Sequence, residues 1–214
     1  MSLFDIIKNA VTGNANSAVT NAANRAATTA VNNVAQSATN TIQQAANNTS
    51  KSFSFNSLPK NADQLRSLPN ATLQDPFCVA ALFILAIAEY PNNKQAAIDM
   101  INLLKGPEPF ANRDIQLFDD HMSKSYIVRS YFEGARPDND YTATMPYTVV
   151  VMESAHSRDQ FNEGYITLYV RSGGADSPRP ITLRTKRSTG EWFIWNQNSV
   201  IMDIRIPVSA DKWA

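Results

Sequence analysis

A chain of 214 residues, 43% of them apolar and 18% charged, can hold one folded domain plus a tail, or two small domains. Lysine plus arginine and aspartate plus glutamate each number 19, so no overall charge draws the chain to nucleic acid, and a dedicated DNA-binding role is disfavoured. The single cysteine, Cys78, excludes an internal disulfide and fits a reducing compartment.

Residues 1–20 lack the basic start and apolar core of a secretory signal, because Asp5 and Lys8 interrupt the hydrophobic residues. A cytoplasmic protein is therefore expected. From Asn9 to Ser50 the only charged side chain is Arg25, and the rest is mostly alanine, asparagine, threonine and serine. This low-complexity composition defines a tail over residues 1–52. Written in rows of eleven from Asn16, the tail aligns Thr20, Val31 and Ile42 in one column and Ala23, Val34 and Ala45 in another. Eleven residues make close to three helical turns, so these side chains stay on one face of a nearly straight helix. Three readings are open for residues 3–48. The tail is disordered or partly helical, since threonine and asparagine favour helices poorly. It self-associates through the alanine seam. Or it touches a membrane surface weakly and holds the protein at the membrane periphery, against which the near-absence of Lys and Arg weighs.

The folded domain is expected over 56–208, with residues 209–214 as a C-terminal tail. Its first half carries helix signals. Asn61 caps a short helix through "ADQLRSL". Asp75-Pro76 starts a second that runs to about Tyr90 and is apolar on nearly all sides. Its run "FCVAALFILAIA" falls well short of the roughly 20 residues a membrane-spanning helix needs, and reads as a buried core helix. Lys94 to Lys105 forms a third helix, ended by Gly106-Pro107, and Asn112 to Met122 a fourth with Ile115, Phe118 and Met122 on one face.

Then the period changes to two. Tyr126–Phe132, Tyr147–Glu153, Tyr165–Arg171, Ile181–Arg187 and Glu191–Gln197 read as strands, and "SVIMDIRIP" as a sixth at an edge. Ser188-Thr189-Gly190 makes a tight hairpin turn. The fold class is α+β: three to four helices followed by a five- to six-stranded antiparallel sheet, with the helices on one face.

Alternation places Ile166, Leu168 and Val170 on one face of the sheet and Tyr165, Thr167, Tyr169 and Arg171 on the other. Ile181 and Leu183 likewise oppose Thr182, Arg184 and Lys186, while Arg129 and Tyr131 join the polar face from the first strand. The candidate binding residues are thus Arg129, Tyr131, Tyr165, Tyr169, Arg171, Arg184 and Lys186. Rings there supply stacking, and cations supply charge for an anionic segment. The competing reading is an ordinary half-exposed sheet face, whose Thr, Tyr and Arg pair across strands. Trp192 and Trp195 have opposite parity, so one faces the core and the other solvent.

Chemistry-bearing patterns are few. His121 and His156 stand in no metal-ligand spacing, so no metal, cofactor or catalytic residue is expected. Cys78 lies in an apolar helix, where thiols are inert. Asp119-Asp120 reads as solvated charge at a helix end. The glycines of "SGGAD" follow a strand but lead into another strand, so the loop is no P-loop.

The segments "SYFEGARPDNDYTATMPYTVVV", "GYITLYVRSGGADSPRPITLR", "STGEWFIWNQ" and "DIRIP", in that order, resemble an uncharacterised bacterial family, a domain of unknown function seen mostly in gut Firmicutes-type bacteria. The resemblance covers about residues 57–207 and implies a self-contained domain without an assigned activity. Taken together, a non-enzymatic domain is expected that binds a partner, a protein rather than nucleic acid, with the tail mediating association or surface attachment. The alternative is a small enzyme or small-molecule binder with a pocket between helices and curved sheet. That reading calls for a carboxylate such as Glu133 or Asp140 in a deep apolar cleft.

Overall fold

The computed structural model describes residues 49–69 and 71–213, which fall within the compact unit Asn47–Ala214. The eleven-residue period, and the helix and surface contacts read from it, lie outside the described residues. Among the described residues, five α-helices and one five-stranded antiparallel sheet make an α+β fold.

Strand β1, Ser50–Phe55, takes in three residues that composition assigned to the tail. Its sequence SKSFSF alternates. Phe55 is buried, and the Lys51 ammonium sits 4.6 Å from the Phe77 ring centre and 2.8 Å from Asp75, so these odd positions face the helices. Helix α1, Ala62–Arg66, is capped by Asn61, whose side chain accepts from the Gln64 N–H at 2.9 Å. In α2, Pro76–Ala88, Asp75 accepts from the Phe77 N–H at 3.0 Å, and Pro76 takes a position where its missing N–H costs nothing. Every residue from Phe77 to Ile87 is buried, and the helix touches all five strands. Each Leu, Ile or Phe so placed contributes about 1.5–3 kcal/mol, which makes α2 the axis of the core.

Helix α3, Lys94–Lys105, starts on an Asn93 cap and packs on α2, its last turn reaching the edge of the sheet. Helix α4, Asn112–Met122, docks through Phe118, whose ring meets Phe110 edge-on at 4.9 Å. Asp119 is not free solvated charge. It pairs with Lys94 at 2.6 Å and accepts from the Tyr90 hydroxyl at 2.9 Å, and the Lys94 contact above all holds its carboxyl below the ordinary range. Helix α5, Tyr126–Arg129, stands where a strand over 126–132 was expected. Ile127, Val128, Tyr131 and Phe132 are all buried, a spacing that suits one face of a helix and not one side of a strand.

The remaining strands are β2, Tyr147–Met152, β3, Tyr165–Val170, β4, Arg179–Lys186, and β5, Glu191–Asn196. They follow β1 in sequence order across the sheet, each antiparallel to its neighbour. β2 and β3 pair only at Val151–Val170 and Met152–Tyr169. Elsewhere loops satisfy their edges, as the Thr148 carbonyl accepts from the Glu133 N–H and the Thr167 N–H donates to Ser157. The expected sixth strand is absent: Asn198–Ile201 forms a 3₁₀ turn that buries the adjacent Val200 and Ile201 together, which one face of a strand cannot do. No helix among the described residues is long and apolar enough to cross a membrane.

Candidate functional site: the solvent face of the sheet

Ile166, Leu168, Val170, Ile181, Leu183 and Ile194 point into the core against α2, as does Trp192. The opposite side chains therefore face away from the helices. Register sets Tyr165 opposite Arg184 and Arg184 opposite Phe193, making a row across β3, β4 and β5. A bulge at Thr182/Leu183 shifts the end of β5, and Trp195 stands 39% exposed beside that row.

Arg184 is the centre of this arrangement. Its guanidinium carbon lies 4.8 Å from the Trp195 ring centre and 5.3 Å from that of Tyr165, and the two rings meet edge-on at 5.7 Å. Stacking of this kind at an exposed site is worth about 0.5–1 kcal/mol and holds the cation in place without neutralising it. The nearest carboxylate, Glu108, is 3.9 Å away with both side chains well exposed, a pair worth about 0–1 kcal/mol. Arg184 is thus oriented by rings and only weakly paired. Thr167 and Thr182 share a hydroxyl contact at 3.1 Å in the next row, and Tyr169 lies opposite Pro180 beyond it.

Beside Arg184 a cavity of about 230 Å³ opens between the sheet and the end of α3, with Phe193, Ile194, Pro107 and Lys105 among its walls. Gly106 is required there. Its φ is +62°, and a Cβ would come within 2.4 Å of the Phe193 ring, so only glycine lets the chain turn over that ring. The Lys105 amine is buried, donates to Gln197 Oε1 at a long 3.4 Å, and has its pKa lowered by desolvation, against the pull of Asp114 and Glu108. On the other side of Tyr165 lies a polar cavity of about 290 Å³ with His156, Asp159 and Thr167.

Of the seven residues expected on one face, Tyr165, Tyr169, Arg184 and Lys186 share it. Arg171 lies just past the end of β3, exposed, beside a separate depression with Glu133 and Arg136. Arg129 and Tyr131 do not join the sheet. Arg129 ends α5 and is exposed elsewhere, while Tyr131 is 2% exposed in the core and donates from its hydroxyl to the Val200 carbonyl at 2.6 Å. Phe193 and Trp195 belong to the face and follow from the parity of "GEWFIW" once Ile194 is set inward. Lys105 and Glu108 carry no such signal, because only tertiary wrapping brings α3 to β5.

The residues of an enzyme reading are placed otherwise. Glu133 and Asp140 are both exposed, and Cys78 is buried with its thiol pushed up to about 12 by desolvation. Among the described residues, no group of three or more His, Cys, Asp or Glu is arranged to hold a metal. The model of the family described as Domain of unknown function (DUF6935) matches residues 57–208. No curated protein and no solved structure matches the chain.

Proposed function

The chain belongs to that family, whose description assigns no activity, and from the sheet face itself we propose a recognition module rather than an enzyme. Its partner is a protein that lays an acidic segment across Tyr165, Arg184, Lys186 and Trp195. The observation that carries this reading is Arg184, held over two rings and poorly paired. An incoming carboxylate displaces the distant Glu108 and gains a bidentate guanidinium partner whose orientation is already set. Trp195 supplies the exposed aromatic anchor, and the cavity floored by Phe193 takes an apolar side chain of the same segment. In the same reading residues 3–48 serve association or loose attachment to a membrane surface, and a single, buried cysteine, Cys78, suits a reducing cytoplasm.

The test is site-specific photo-crosslinking in the host cell. A photoreactive phenylalanine analogue at position 195 should capture a discrete protein with an acidic contact segment, while the same analogue at Arg66, exposed on α1 and outside the sheet-face row, should not. Arg184→Glu with Lys186→Glu should reduce capture at least about tenfold, since each reversed charge turns attraction into repulsion. Equal capture by the doubly reversed protein, still folded by circular dichroism, would refute the sheet face as the binding surface.

A further inference from the structure

A further cavity lies away from the sheet face, where the end of α2 meets α5 and the 141–147 loop. It measures about 430 Å³, inside the range of about 300–1,000 Å³ typical of small-molecule sites. Leu58, Val128, Phe132 and Ala143 give it apolar walls, and Ser125, Asn92 and Arg129 bring polar groups to it. Arg129 is exposed, and its guanidinium takes part in none of the ion pairs formed among the described residues. Of the carboxylates next in sequence to this lining, Glu89 accepts from Asn92 and is paired with Lys60 at 2.8 Å, Asp140 accepts from the Ser209 hydroxyl, and Glu133 lines a separate depression. The cavity therefore brings one guanidinium outside those ion pairs to a chamber whose walls are partly apolar and partly polar.

One wall is held under backbone strain. Asp140 and Tyr141 have φ of +53° and +56°, consecutive left-handed residues without a glycine between them. The Tyr141 N–H donates to the Arg136 carbonyl at 2.9 Å, and its hydroxyl donates to the Arg205 carbonyl at 2.6 Å. These bonds fix the ring against that of Tyr126, the first residue of α5, at 5.7 Å and nearly parallel.

We propose that this cavity binds a small aliphatic carboxylate, its head group on Arg129 and its chain against Leu58, Val128 and Phe132. A neutral molecule of the same length would leave the guanidinium without a counter-charge, and a short polar anion would leave the apolar walls uncovered. The site does not depend on the sheet face or its partner.

The experiment is isothermal titration of the full chain with octanoate, with octanamide as the uncharged match. Octanoate should bind at least about tenfold more tightly than octanamide, the margin of a charge-assisted hydrogen bond. Arg129→Gln should erase that margin, weakening octanoate at least about tenfold, with the melting temperature unchanged. Ala143→Phe, which fills the chamber from its rim, should weaken both ligands. Arg184→Glu should weaken neither, which separates this site from the sheet face. Equal affinity for octanoate and octanamide, or octanoate binding that survives Arg129→Gln, overturns the assignment.

Discussion

Tyr131 illustrates how one residue type serves opposite ends. Read by parity it belonged to an exposed lattice, yet its ring is in the core and its hydroxyl anchors the Val200 carbonyl. Tyr131→Phe keeps the ring and strands that buried carbonyl, so the expected loss is about 1–3 kcal/mol of stability with no change at the sheet face. Chemical denaturation of the two proteins measures it; an unchanged midpoint would mean the carbonyl finds another donor. Lys105 is the reverse case, a charged residue held where charge is unwelcome. Its folded-state pKa lies below the ordinary 10.5, so between the two values the unfolded chain holds a proton that the folded chain has released. Stability therefore rises with pH through that window and levels off above it. Lys105→Met removes the penalty and should raise the melting temperature at pH 7 by about 2–4 °C, for about 1 kcal/mol. The advantage should shrink as pH approaches the ordinary lysine value. A lower melting temperature for the methionine variant at pH 7 would mean that the charged amine has a favourable partner in the folded state.

At the level of elements, legibility followed the length of the pattern. Helix α2 could be read because thirteen residues carry a cap, a proline at the first position and an unbroken apolar run. Strands β3 to β5 could be read because each alternates over at least six residues, and their burial follows that alternation closely through Ile166, Leu168 and Val170. Four-residue α5 and the 3₁₀ turn at 198–201 were misread, since two or three apolar residues fit either period. β1 was missed for a different reason: its serines match the tail before it, and only Lys51, Phe53 and Phe55 distinguish it. The sheet-face row had the same split. Tyr165, Arg184 and Trp195 follow from parity within neighbouring strands. Glu108 and Lys105 reach the face from a helix end about eighty residues earlier in the chain, through the glycine turn over Phe193, and no local pattern reports such a contact.

At the level of the whole molecule, β1 separates the structural domain from the family match. The match begins at residue 57, after β1 has ended. Yet all six residues of β1 pair with β2, Phe55 is buried, and Lys51 reaches across to Asp75 and the Phe77 ring at the start of α2. Removing residues 1–48 leaves that strand whole, and residues 49–214 should melt at the temperature of the full chain. Beginning at residue 57 uncovers the β2 edge with Val149 and Val151 behind it, and exposes core formerly covered by Phe55. Loss of one large core aromatic costs about 3–5 kcal/mol, or roughly 10 °C in a chain of this size, and a bare β2 edge invites pairing between copies. Scanning calorimetry with light scattering on the three lengths decides the matter. A shared melting temperature for 49–214 and 57–214 would show β1 to be an accessory strand. A fall confined to the shorter chain, with scattering on heating, makes β1 part of the domain and fixes where any test of residues 1–48 must cut. Liposome flotation of the full chain beside residues 49–214 then reports on the tail alone, since both lengths keep β1 paired along β2.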